Sequence, residues 1–329
     1  MRILIYGAGV LGSVLAHLLM QGKHEVTMLA RGKRAEQLEQ GGLVIRHYVQ
    51  RKTTVERPQV IRRLEQNDRY DLIFTVMKYS DIESILPALA ANVSANIVMI
   101  GNNPDAGHTE QKLRELGGGD KSFTFGFLVG GGIRREDGTV MSVQLGGGTL
   151  IAGALGGDNG GLPLLRKAFA KSSCKLTLHA EIDAWLKNHM MPIVPLNAAL
   201  HIHGGDVRRV ARDKRLLRQV VDAMGEGFDL LEAAGYPLVP PAQARLIRRH
   251  KLMLRLLLAL YNRLPVARLI DGSFAEIDAL DRVFRRWAGA SGQASPAWDG
   301  LIEAARQAEA ASSFNINKSL HEKFIIEKP

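Results

Sequence analysis

Cysteine is almost missing from this chain: Cys174 is the only one in 329 residues. That excludes an internal disulfide, and a reducing compartment, the cytoplasm, is the expected location. Nothing around Cys174 marks an activated nucleophile, so it reads as a small buried hydrophobe. Low-complexity tracts are missing too, and 46% hydrophobic residues fit a globular protein. Long apolar runs are lacking. Residues 3–20 are mostly apolar, but three glycines and His17 interrupt them and only Arg2 leads in, which argues against a signal peptide. Leu252 to Leu260 is broken by Arg255 and is too short to span a bilayer, so no membrane segment is expected. Acids are in deficit, 33 against 43 Lys and Arg, for a net charge of +10. Residues 205–290 hold sixteen Lys/Arg and ten Asp/Glu, but these alternate with Leu, Val and Ile at helical spacing. With no RNP segment and no zinc-ligand pair, a solvated helical face or an attraction for anionic metabolites is the reading; neither a nucleic-acid partner nor a metal is expected.

What is present is a Gly-rich turn in the right setting. The apolar run Ile3–Tyr6 leads into Gly7-Ala8-Gly9-Val10-Leu11-Gly12, a helical stretch follows to Met20, and Val26–Ala30 forms a second apolar run. Strand, turn, helix, strand is the order a dinucleotide-binding unit requires. Gly7 would make the tight turn, Gly9 admit a pyrophosphate, and Gly12 allow close helix–strand packing. The N–H groups of Val10, Leu11 and Gly12 would face the phosphates at the positive end of the helix dipole. Where an NAD binder places Asp or Glu after the second strand, this chain has Arg31, with Lys33 and Arg34 behind it. That cationic cluster suits a 2′-phosphate, so NADP is the expected cofactor.

Further on, residues 43–61 read as a small strand pair. Tyr70–Met77 and Asn96–Ile100 read as buried parallel strands ending at Lys78 and at Gly101-Asn102. Ligands in open α/β sheets bind beyond the carboxyl ends of strands, so Lys78 and Asn102 are candidate rim residues. Residues 123–129 read as a further strand, and residues 130–154 as a glycine-punctuated antiparallel edge. From Glu181 the apolar spacing turns helical: 181–200, bent or broken at Pro192 and Pro195, then 207–234, 241–260, 274–289 and 295–310, followed by a polar, partly disordered tail from about 311. The expected fold is an α/β Rossmann-type N-terminal domain, 1–180, with a predominantly α-helical C-terminal domain, 181–329.

Five places together resemble the ketopantoate reductase family. They are GAGVLG at 7–12 with Arg31, Met77-Lys78, Gly101-Asn102, Trp185-Leu186-Lys187, and Glu276-Ile277-Asp278. The resemblance implies NADPH-dependent reduction of 2-dehydropantoate or a related 2-keto acid, a step of pantothenate biosynthesis. It implies Lys187 as the general acid, Lys78 in support, Asn102 beside the nicotinamide ribose, and Glu276 orienting the lysine or the substrate hydroxyl. Helical domains in such enzymes often pair, so a homodimer is expected.

The chain departs from the family where substrate is held. Asparagines four and eight positions past the general acid are replaced by Met191 and Pro195, and a serine twelve residues before the glutamate by Leu264. Asn188 and Asn197 lie nearby, at other angles of the helix. These losses point to a different carbonyl substrate. They leave open a non-catalytic NADP-binding sensor or scaffold.

Overall fold

The structure, a computed structural model, describes residues 1–157, 160–269 and 272–326, with side chains of the last helix described through residue 312. The Gly-rich segment folds as β1 (Arg2–Tyr6), α1 (Val10–Gln21) and β2 (Glu25–Leu29). Then come α2 (Gly32–Gly41), β3 (Leu43–His47), β4 (Lys52–Glu56), β5 (Gln59–Ile61) and β6 (Leu72–Val76). Two short helices, α3 (Tyr79–Ile82) and α4 (Leu86–Ala91), lead to β7 (Asn96–Ile100), α5 (Ala106–Leu113) and β8 (Ser122–Val129). The first half closes with β9 (Gly131–Arg134), β10 (Val140–Val143), β11 (Thr149–Gly153), α6 (Gly161–Phe169) and β12 (Lys175–Leu178).

Eight strands form one sheet in the order β12-β11-β8-β7-β6-β1-β2-β5. All neighbours are parallel except β11 and β8. The strand order reverses at β1, which places the Gly-rich turn at the topological switch point, where open α/β sheets bind ligands. A second sheet has the order β4-β3-β10-β9.

The two sheets explain the apolar character of α1. It contacts β1, β2 and β6 on one side and β3, β9 and β10 on the other. Every residue from Gly12 to Leu19 is therefore buried. A helix covered on both sides needs no polar face, and burying each Leu or Val side chain stabilises by roughly 1.5–3 kcal/mol.

Two strand expectations are corrected. Residues 43–56 do form an antiparallel pair, but β5 leaves it and joins the main sheet parallel to β2. The supposed antiparallel edge of residues 130–154 divides between sheets: β9 and β10 join the small one, while β11 pairs with β8 in the large one. Alternating and β-branched residues mark a strand without naming its partner.

Contact density divides the chain into Met1–Lys187 and Asn188–Pro329, a division that falls inside α7 (Ile182–Ile202). Helix α7 continues through Pro192 and Pro195. The second unit adds α8 (Val207–Arg212), α9 (Lys214–Ala233), α10 (Pro241–Arg249), α11 (Lys251–Tyr261), α12 (Phe274–Ser291) and α13 (Pro296–Ile326). Two helices expected to be continuous are broken. At Asp213 the side chain accepts from the Leu216 N–H and caps α9, so one residue ends one helix and starts the next. His250, at φ −117° and ψ 41°, separates α10 from α11. The tail expected to leave the helix at 311 continues it instead to Ile326, since no Gly or Pro interrupts residues 301–326.

A pair of histidines ties α1 to the small sheet. His17 Nδ1 lies 2.9 Å from Glu56 Oε1, and His47 Nε2 lies 2.9 Å from Thr54 Oγ1. The two rings are 4.9 Å apart. Burial first, then His17 and Lys52, push the His47 imidazole down to about 4, against the opposing pull of Glu56. An unfolded histidine titrates near ~6.5. Between these values the unfolded chain binds a proton that the folded chain does not, so stability is present above the window and lost as pH falls through it. Burial likewise holds His189, in the second unit, down to about 4. Thermal unfolding should therefore shift to lower temperature from pH 7 to pH 5, and His47→Gln should flatten that dependence. An unchanged slope in the variant would remove His47 as its source.

Candidate active site

At the carboxyl edge of the main sheet, the ends of β1, β6 and β7 abut. Gly7 has φ +123°, and a Cβ there would stand 2.3 Å from Val76 O. A Cβ on Gly12 would stand 1.9 Å from Gly7 O. Both positions therefore require glycine, one for its backbone angle and for space, the other for space alone. Gly9 is different: a Cβ there would meet nothing within 4 Å, so the turn is open on that side. No side chain caps α1, whose first N–H groups are those of Val10, Leu11 and Gly12. Open space over uncapped helix N–H groups suits a pyrophosphate, so these residues fit a dinucleotide.

Arg31 stands exposed just past the end of β2 as the N-cap of α2, its Nη2 donating to Tyr6 Oη at 3.1 Å. Lys33 is also exposed, but Arg34 does not join them. It is buried, donating from Nε to Ala8 O (3.1 Å), from Nη1 to Gly138 O (2.7 Å) and from Nη2 to Ser13 Oγ (3.0 Å). The cationic cluster read from residues 31–34 is thus corrected to Arg31 and Lys33. Helical periodicity turns Arg34 inward beneath the turn.

Lys78 follows β6 as the N-cap of α3; its side chain is exposed and forms no ion pair with the described residues. Asn102 follows β7, and a Cβ on Gly101 beside it would lie 2.6 Å from Met77 O. Register Val76↔Ile100 thus brings Lys78 and Asn102 to neighbouring strand ends. Asn103 is buried and accepts from Thr109 Oγ1 at 3.3 Å; its Nδ2 has no acceptor among the described residues, a donor that a ligand oxygen would satisfy.

Lys187 lies in the first turns of α7. Its neighbours Ile182 and Leu186 join the apolar cluster under β6, β7 and β8, and the Trp185 ring lies 6.2 Å from that of Phe127, tilted by 40°. The ammonium is buried and donates to Asp183 Oδ1, one turn earlier. Asp183 was not anticipated from sequence, although its i,i+4 spacing to Lys187 was a usable signal. Glu276 belongs to the second unit. It is buried in the first turn of α12, where Ser273 Oγ accepts from its N–H at 3.4 Å.

The departing positions are also accounted for in the second unit. Met191 is fully buried, and a Cβ on Gly227 of α9 would meet its sulfur at 2.6 Å. Pro195 is buried, whereas Leu264 is exposed. Asn188 is buried and donates to Pro237 O at 2.9 Å. Burial pushes the Cys174 thiol up to about 11, as an inert core cysteine requires. Among the described residues there is no group of three or more His, Cys, Asp or Glu that could hold a metal, and no helix is long and apolar enough to cross a membrane.

A switch-point turn of this form, on a parallel-rich sheet followed by a helical unit, defines the Rossmann dinucleotide-binding class. Within that class, residues 3–157 match the family described as Ketopantoate reductase PanE/ApbA. No curated protein matches the chain in sequence. Among solved structures, the fold resembles a PanE/ApbA family ketopantoate reductase from Ralstonia eutropha JMP134, at 21% identity and TM-score 0.74, over 95% of this chain and 100% of that one. It also resembles 2-dehydropantoate 2-reductase from Methylococcus capsulatus, at 20% identity and TM-score 0.69, over 95% and 98%. D-mandelate dehydrogenase, solved with NADH and anilino(oxo)acetate, is similar at 16% identity and TM-score 0.73, over 94% and 99%. At these identities the likeness is one of fold.

Proposed function

We propose that this protein is a nicotinamide-dependent reductase of a 2-keto acid or related small carbonyl, with NADPH as the preferred reductant and 2-dehydropantoate as the nearest named substrate. The observation that carries this reading is the first unit's combination of an open Gly-rich turn with Lys78 and Asn102 on adjacent strand ends. Its fold relatives include enzymes named for a 2-keto acid and for a 2-hydroxy acid, the two sides of such a reaction. The bound dinucleotide would supply the hydride. The chain supplies the rest: Val10, Leu11 and Gly12 N–H groups for the pyrophosphate, and Arg31 for a 2′-phosphate. Lys78 and Asn102 line the rim, and Lys187 Nζ gives the proton that the carbonyl oxygen takes up. Glu276 is assigned to orienting the reacting groups. A cation aimed at the developing oxyanion stabilises the transition state more than the ground state.

The test is oxidation of NADPH and NADH by purified protein with 2-dehydropantoate and a panel of 2-keto acids and keto lactones. Turnover with a higher kcat/KM for NADPH supports the reading. Tight NADPH binding with no turnover on any carbonyl would instead favour a non-catalytic sensor or scaffold, a reading that rests on Met191 and Pro195 being spent on packing.

We propose further that the protein pairs with a second copy through α11. No residue of this helix is buried; Leu252, Leu256 and Leu260 are 64%, 64% and 57% exposed, beside Leu257 and Met253. Such a patch, on the order of several hundred Å², approaches the ~800 Å² per partner of a standard interface. Arg248 and Lys251 at its rim are already paired, with Asp229 and Glu232 and with Asp222, which lessens repulsion between copies. Light scattering should give twice the chain mass, and Leu256→Glu the single mass; a monomeric parent protein would end this proposal.

A further inference from the structure

Two arginines from distant parts of the chain meet at one carbonyl, that of Ala8 between the first two glycines of the turn. Arg34 of α2 donates Nε to it at 3.1 Å, and Arg134 of β9 donates Nη1 at 3.3 Å. In other respects they differ. Arg34 is buried, and all three of its nitrogens bond to protein atoms. Arg134 is exposed, and the Ala8 bond is the only hydrogen bond its side chain makes to the described residues. Neither guanidinium forms an ion pair with a carboxylate among the described residues.

Two positive groups therefore share a neutral acceptor with no counter-charge. Burial first, and Arg134 second, hold Arg34 down to about 10. An exposed arginine could relieve that repulsion by swinging into water, yet Arg134 stays over the turn. Its strand runs beside the start of α1: a Cβ on Gly132 would lie 3.1 Å from Val10 Cγ1. The exposed fork thus stands beside the uncapped N–H groups of Val10, Leu11 and Gly12 and the open side of Gly9. Every fixed dipole and charge there favours an anion, and a planar guanidinium suits phosphate oxygens in particular.

We infer that Arg134 is a phosphate-binding residue of the dinucleotide site, held over the Gly-rich turn by Ala8 O, with Arg34 as the buried residue that positions that turn. This rests on the dinucleotide reading above and adds to it a ligand from the small sheet. The pyrophosphate and the 2′-phosphate share the required chemistry, and the choice of dinucleotide separates them.

The experiment is calorimetric binding of NADPH and NADH to the parent protein, Arg134→Ala and Arg134→Lys, at several salt concentrations. Losing a charge-assisted bond should weaken NADPH binding roughly ten- to hundred-fold in Arg134→Ala. The salt dependence should become shallower, and Arg134→Lys should restore part of the affinity. A loss confined to NADPH assigns Arg134 to the 2′-phosphate; equal losses with both dinucleotides assign it to the pyrophosphate. Unchanged affinity and unchanged salt dependence in Arg134→Ala would overturn the inference while leaving the dinucleotide site intact. So would a loss of affinity with salt dependence unaltered, since that is the mark of a merely structural anchor. A parent protein that binds neither dinucleotide would overturn the underlying reading and this one with it.

Discussion

Replacing Lys187 with alanine should lower turnover roughly a hundred- to ten-thousand-fold while leaving NADPH affinity nearly unchanged. The separation follows from the assigned role. A general acid acts on the carbonyl oxygen as charge develops, so its loss appears in kcat rather than in ground-state binding. Lys187 is also restrained in position. Its ammonium is buried at the start of α7 and held by Asp183, which limits the positions it can take. Arginine should not substitute, because a guanidinium keeps its charge and gives up a proton far less readily. Steady-state kinetics with calorimetric binding would decide the point. Equal losses of affinity and turnover would remove the general-acid role and leave Lys187 a structural member of α7.

A comparable effect on stability is expected from Asp281→Ala in the second unit. Asp281 is fully buried on α12, and its oxygens accept from Trp298 Nε1 at 3.0 Å, Arg285 Nε at 2.8 Å and Arg306 Nη2 at 2.8 Å. Trp298 is itself fully buried and stacked 3.8 Å from Phe284. One carboxylate thus joins α12 to α13 through the Trp298 indole and the Arg306 guanidinium, and holds Arg285 on its own helix. Its hydrogen bond and charge raise Arg285 above its ordinary value. Removing the carboxylate costs about 2–3 kcal/mol, because the buried indole N–H is left unpaired while the partly exposed guanidinium groups lose their counter-charge. The apparent melting temperature should fall by on the order of ten degrees. Asp281→Asn should fall between, since it keeps an acceptor for the indole without the charge for the arginines. A loss below about 1 kcal/mol in the alanine variant would show that the network does not hold the two helices together.

The two arginines at Ala8 and the carboxylate at 281 mark where the sequence stopped being readable. Arg34 belonged to an obvious basic run, and nothing local indicated that it turns inward while Arg31 and Lys33 do not. Arg134 sat within residues 130–154, which read only as a glycine-punctuated antiparallel edge. Its meeting with Ala8 spans 126 residues of sequence separation. Asp281 was one acid among many on an amphipathic helix, three residues past the Glu276-Ile277-Asp278 segment that drew notice instead. Asp278 in that segment binds Arg282 and Arg306 and so belongs to the same helix junction.

The sequence by itself determined the elements and the turn. Apolar runs of period two or continuous character located β1, β2, β6, β7 and β8, and the glycines at 7, 9 and 12 announced a helix start open to phosphate. These signals are local: a strand needs apolar residues in succession, and a turn needs glycine where a Cβ would strike the backbone. Only the tertiary structure decided which sheet β5, β9, β10 and β11 enter, because strand propensity carries no address. It alone explained why α1 is apolar all round, since a second sheet covers the face a surface helix would leave wet. It also separated the arginines at the turn into one exposed at the end of β2, one buried beneath the glycines, and one brought across from β9 to the same carbonyl. Charge is legible in a sequence, but the direction in which a charged side chain points is set by what packs around it.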